Sequence, residues 1–146
     1  MNFSYWEQKT WFTNVDFAVI GSGIVGLNCA LQLRENHPKA KIIILEKGML
    51  PQGASTKNAG FACFGSASEI LDDLSHSDEN EVIELVKKRV NGLSELRNLL
   101  GDENIGYKPW GGYELFSELD NKTYENCLNK LSYLNNILQP IFGEKM

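Results

Sequence analysis

The sequence predicts an α/β fold in which a βαβ unit is followed by helices and then by the start of a second, antiparallel sheet. Three features point there. A short apolar run at 16–20 ends abruptly at Gly21, Gly23 and Gly26. Residues 24–36 then set Leu27, Ala30, Leu31 and Leu33 on or near one helical face, and a second apolar run follows at 41–46.

The elements can be taken in order. Residues 1–15 form an N-terminal arm. Ser4 and Glu7 have capping-box spacing, so a short helix starts there, and Trp6, Trp11 and Phe12 are expected to pack on the domain as a latch. His37-Pro38 ends the first long helix. The unbroken run through Ile42, Ile43, Ile44 and Leu45 suits a strand covered on both faces of a parallel sheet. Residues 48–65 are a loop rich in Gly, Ala and Ser. Helices are predicted over 66–75 and 79–100, the latter with Val82, Val86, Val90, Leu93, Leu96 and Leu100 at helical spacing and Gly101 just past its end. Residues 105–110, Gly111-Gly112 and 113–116 read as a β-hairpin, because a Gly-Gly pair takes positive φ readily. A last helix is predicted over 122–138, with Tyr124, Leu128, Leu131, Leu134 and Leu138 on one stripe and Pro140 stopping it. No linker separates two complete domains. The expected organisation is the arm, a nucleotide-binding region at 16–104, and a hairpin and helix at 105–146 that open a further region.

Of the 146 residues, 42% are hydrophobic, enough for a core, and 23% are charged, enough for a solvated surface. A net charge of −5 with scattered Lys and Arg argues against nucleic acid. Cys29, Cys63 and Cys127 are odd in number and form no CxxC, so neither a disulfide framework nor a thiolate metal site is expected. No signal peptide and no membrane-spanning run is visible, and a cytoplasmic location is expected.

Gly21-Ser22-Gly23-Ile24-Val25-Gly26 matches G-x-G-x-x-G in its proper context, after a strand and at the start of a helix. The second strand ends in Glu46, twenty residues beyond Gly26. Together these make the Rossmann-like dinucleotide fingerprint. Gly21 lets the chain turn off the strand. A side chain at Gly23 would collide with a pyrophosphate, and Gly26 lets the helix approach the sheet. The N–H groups and dipole of the helix N-terminus favour the phosphate charge. Glu46 is placed to accept from the adenosine ribose hydroxyls and would repel a 2′-phosphate, which disfavours NADP. The fingerprint itself leaves FAD and NAD open.

The loop after Glu46 bears on that choice. Residues 16–26, then Leu45-Glu46-Lys47-Gly48, then Gly53-Ala54-Ser55-Thr56-Lys57-Asn58-Ala59-Gly60-Phe61, resemble the start of the FAD-dependent D-amino-acid oxidase (DAO) superfamily, over about 16–116. The resemblance implies FAD as cofactor. Gly21, Ser22, Gly23, Ile24, Val25 and Gly26 would hold its pyrophosphate, Glu46 its adenosine ribose, and Lys47 would lie by the adenine. Ala54, Ser55, Thr56, Asn58, Ala59 and Gly60 would run along the cofactor toward the flavin. The implied reaction is oxidation of a small amino acid, amine or 2-hydroxy acid by hydride transfer to FAD. Such enzymes are longer, with a second, substrate-binding sheet and a late glycine-rich segment. The chain is therefore expected to be a truncated, N-terminal portion, inactive by itself and with no assignable catalytic residue.

Two rivals stand beside this. An NAD-dependent dehydrogenase would continue with further βα units, which the sequence after Gly65 does not show. A non-catalytic dinucleotide-binding module would expose apolar surface. Cys63 beside the loop, and Cys29 and Cys127 on helices, read as core residues. His37, and His76 among Asp72, Asp73, Asp78 and Glu79, read as surface. Trp110 and Tyr113 fit either hairpin packing or a substrate contact.

Overall fold

Phe17–Ile20 (β1) and Ile42–Leu45 (β2) pair in parallel, with Phe17 opposite Ile42 and Ile20 opposite Leu45. The crossover between them is Ile24–Asn36 (α2), preceded in the chain by the short helix Tyr5–Glu7 (α1). A computed structural model describes residues 3–143, which divide between Phe61 and Ala62 into two compact units. The expected helix, both strands and the Ser4–Glu7 capping box all form in the first unit.

The first unit has a thin core. Val19 is its one buried hydrophobic residue among those described, set against Gly26 of α2. Two strands cover little of a helix, so on α2 only Gly26, Ala30 and Leu33 are half-buried. Cys29, expected in a core, is exposed for that reason. The expectation that β2 is covered on both faces also fails: Ile42 and Ile43 are half-buried, whereas Ile44 and Leu45 are exposed, because among the described residues of the first unit no further strand or helical layer covers them. Nor do the arm's tryptophans form a latch. Trp6 and Trp11 are exposed, and Phe12 packs on Phe3 of the arm itself, ring centres 4.7 Å apart. A polar tie holds the arm instead: the Lys41 Nζ donates to the Thr10 and Thr13 carbonyls at 2.6 and 2.8 Å.

The second unit is helical: Ala67–His76 (α3), Glu79–Leu100 (α4), Asp102–Ile105 (α5) and Asn121–Phe142 (α6). Ile70 of α3, Val82 and Val86 of α4, and Leu134 and Leu138 of α6 form one buried cluster. The stripe on α6 is rotated from the expected one. Cys127, Leu134 and Leu138 are buried and Leu131 half-buried, while Tyr124 and Leu128 are exposed. Burial, followed by the Glu114 carboxylate, pushes the Cys127 thiol pKa up. Pro140 does not stop α6. It forfeits one backbone bond near the end, and Ile141 and Phe142 beyond it pack on the core, with Phe142 5.0 Å from the Phe64 ring.

The expected hairpin is absent, and with it the start of an antiparallel sheet: Ile105 closes α5, and residues 107–117 hold no strand. Pro109 removes a ladder donor from the first arm. Gly111 has positive φ but Gly112 does not, so a type I′ turn is not formed, and the Trp110 N–H donates locally to the Lys108 carbonyl. Trp110 and Tyr113 are 83% and 94% exposed, so neither packs as expected. Glu114 holds this segment. Its carboxylate accepts from the Ser66 hydroxyl at 3.0 Å, and from the Ser68 N–H and hydroxyl, at the start of α3.

Among the described residues no helix is long and apolar enough to cross a membrane. Ile70→Ala should cost about 2–5 kcal/mol, because it empties a site with no exposure at the centre of the helical unit. Urea unfolding followed by helical circular dichroism checks this.

Candidate functional site

The site is a turn and what closes on it. Gly21 leaves β1 with φ +93°, a conformation that L side chains rarely adopt, and its N–H still donates to the Leu45 carbonyl of β2 at 2.7 Å. Gly23 is the N-cap of α2 and offers no side chain to the first N–H groups of the helix. Gly26 is the tightest point. A Cβ there would lie 2.1 Å from the Gly21 carbonyl oxygen and 3.4 Å from Val19 Cγ1. Ile24 and Val25, the apolar residues between the glycines, face outward, and Val25 is 80% exposed.

Two distant side chains reach this turn. Ser55, from the 3₁₀ turn Ala54–Thr56, accepts the Ile24 N–H on its Oγ at 3.0 Å, and the same Oγ would be 3.1 Å from a Cβ at Gly23. An oxygen acceptor therefore already occupies the place at the helix N-terminus where the dipole favours one. Glu46, just past β2, accepts the Ser22 N–H and Ser22 hydroxyl on Oε2 at 2.9 and 2.8 Å. Its Oε1 has one longer bond, from the Gly48 N–H at 3.3 Å. These bonds, that from the Ser22 N–H first, hold the Glu46 carboxyl below the usual carboxylate range.

The remaining residues of the expected set organise their own loop. Asn58 donates to the Ala54 and Ser55 carbonyls at 3.0 and 3.1 Å and accepts the Gly60 N–H at 2.8 Å. The Thr56 hydroxyl donates to the Pro51 carbonyl at 2.9 Å. Ala59 and Lys47 are exposed. The structure thus joins Gly21–Gly26, Glu46 and Ser55 and leaves Lys47, Thr56, Asn58, Ala59 and Gly60 beside them without a bond to the turn. Gly48 was missed by sequence reasoning. Its position two residues after an acid is the signal, since a carboxylate there readily accepts a nearby N–H; a Cβ on it would meet the Leu50 carbonyl at 3.0 Å.

Cys63, read from sequence as a core residue, is exposed. It lines a cleft of about 410 Å³ with Gly65, Glu69, Asp72, Asp73 and Arg89. Its neighbours are polar, so nothing there draws a small apolar side chain inward. His37 and His76 are at the surface as expected, His37 against the Phe17 ring. Among the described residues no three His, Cys, Asp or Glu side chains are grouped to hold a metal ion.

The sequence matches the family model described as DAO, FAD dependent oxidoreductase, over residues 16–140. The chain belongs to the DAO family. No curated protein matches it significantly, and no solved structure does. The DAO match takes in both units, from β1 through most of α6. The DAO family is FAD-dependent, and two observations at the turn suit such a cofactor. Gly23 carries no side chain, and the neighbour over it is the Ser55 hydroxyl, the oxygen acceptor at which the Ile24 N–H is aimed.

Two outcomes follow from this geometry. Gly26→Ala should destabilise the first unit by about 3 kcal/mol or more, since the clash is with backbone that cannot swing away; hydrogen exchange of the β1 and β2 amides reports it. The Glu46 carboxyl should titrate below its ordinary value of about 4.3. Because the folded value is the lower one, the stabilisation from Ser22 is present above that ordinary value and lost as pH falls through the folded one. A carboxyl-carbon NMR titration measures it.

Proposed function

We propose that this chain binds FAD across the turn 21–26 and serves a flavin-dependent oxidoreductase acting on a small amino acid, amine or 2-hydroxy acid. The match to the DAO family over residues 16–140 carries this reading. On it, the first unit is a Rossmann-like FAD-binding region. Gly21, Ser22, Gly23, Ile24, Val25 and Gly26 cradle the pyrophosphate, and Glu46 takes the adenosine ribose, with Lys47 near the adenine. Ala54, Ser55, Thr56, Asn58, Ala59 and Gly60 line the path toward the flavin.

Each role has a basis in the chain's own atoms. Gly23 keeps the backbone accessible to a bulky diphosphate. The Ile24 N–H donates to Ser55 Oγ and would donate to a phosphate oxygen in its stead, so Ser55 yields its place on binding. The hydroxyl it frees is then a donor for the same phosphate. Glu46 has acceptor capacity left on Oε1, and its charge repels a phosphorylated ribose. Bound FAD would accept a hydride from the substrate carbon, which is the chemistry the protein does not itself contain.

The test is retention. Purified chain is incubated with excess FAD, freed of unbound cofactor, and its visible spectrum recorded with the released cofactor identified by chromatography. Retained FAD that falls at least roughly ten-fold in Gly23→Val supports the reading, since a branched side chain there fills the phosphate position. Retention of NAD with no retention of FAD overturns it.

A further inference from the structure

Ser22 occupies a position that G-x-G-x-x-G leaves open: the glycines on either side are required and this one is not. Yet both donors of Ser22 are spent on a single acceptor. Its N–H and its hydroxyl both reach Oε2 of Glu46, at 2.9 and 2.8 Å, across 24 residues of sequence. Glu46 is exposed, and a free glutamate in water samples many rotamers, which a ligand must then freeze at an entropic cost. The pair of hydrogen bonds from Ser22 removes much of that freedom in advance. It also divides the carboxylate unevenly. Oε2 carries both short bonds, and Oε1 carries the longer 3.3 Å bond from the Gly48 N–H. A carboxylate has about four acceptor positions, so the open capacity lies mainly on Oε1.

We propose that the Ser22 hydroxyl is a positioning residue for Glu46, fixing its carboxylate so that Oε1 accepts from the adenosine ribose hydroxyls of the dinucleotide. This rests on the FAD reading above and deepens it. The backbone N–H fastens Glu46 whatever residue stands at 22, whereas the hydroxyl is what this chain adds. The Ser22 hydroxyl thereby governs recognition of the sugar, while the backbone of residue 22, which alanine keeps, remains part of the pyrophosphate cradle. Alanine at 22 keeps the N–H bond and deletes the hydroxyl bond alone, so the expected loss is partial.

The test compares FAD with an FAD analogue whose adenosine ribose lacks the 2′- and 3′-hydroxyls, measured by quenching of flavin fluorescence on the full chain. Wild type should prefer FAD. Ser22→Ala should weaken FAD by roughly 3- to 10-fold, the usual worth of one such bond, and leave the analogue unchanged. In a Glu46→Ala background, adding Ser22→Ala should change FAD affinity no further. An equal drop for FAD and analogue overturns the inference, because the hydroxyl then serves the pyrophosphate or the shape of the turn. No drop for either also overturns it, as does a further drop in the Glu46→Ala background. If wild type binds FAD and analogue equally, the FAD reading survives and the role of Ser22 falls. If wild type binds neither, the FAD reading falls and takes this inference with it.

Discussion

The approach of α2 to the end of β1 constrains everything around the turn. Where the helix passes the Gly21 carbonyl there is no space for even a methyl group, since a Cβ on Gly26 would stand 2.1 Å from that oxygen. That closeness brings the N-terminus of α2 to the mouth of the two-stranded sheet. It also places Ser22 against the carboxylate that follows β2, and it leaves the Ile24 N–H aimed at an oxygen. Backbone geometry makes the cradle, and side chains from Glu46 and Ser55 complete it. The turn is thereby ordered by the chain's own bonds, which would lower the entropy that the proposed binding must overcome.

The two units are stabilised by different means. The helical unit has a continuous apolar cluster in which Ile70, Leu134 and Leu138 are wholly buried, and polar clasps fasten its ends. One clasp is the paired Arg97–Asp102 bridge at 2.8 Å, with Arg97 over the Tyr107 ring. Another is Glu114 on the start of α3. The first unit depends more on backbone pairing and on the contacts of Lys41, Asp16, Ser22 and Glu46, several of them charged groups near water. Exposed ion pairs and hydrogen bonds of this kind add modestly to stability. The residues that form the turn are accordingly supported by its geometry more than by a core.

Much of this was legible in the residues. Ile24–Asn36 and Glu79–Leu100 show their bounds through a glycine or acidic start and a Pro or Gly stop, and both are helices over those bounds. The glycine spacing and the acid after β2 located the turn, and Ser55 was named with it. Other features were not legible for physical reasons. A hydrophobic run reports capacity for burial, and Ile44 and Leu45 remain exposed because burial needs a neighbour. The hairpin failed where Pro109 removes a ladder donor and the Trp110 N–H is spent on the Lys108 carbonyl, local effects that outweighed an apparent turn signal. Ile141 and Phe142 carried α6 past Pro140 through packing that spacing cannot show. The bond from the Ser22 hydroxyl to Glu46 spans 24 residues, and nothing in the local pattern announces it.

The most direct measurement is an amide NMR titration of the chain with FAD. Shifts concentrated at Ser22, Gly23 and Ile24, at Glu46 and Gly48, and at Ser55 would place the dinucleotide on the preformed turn. Shifts absent from these amides while others move, above all those at 107–117, would place the ligand elsewhere and contradict the turn as the FAD site.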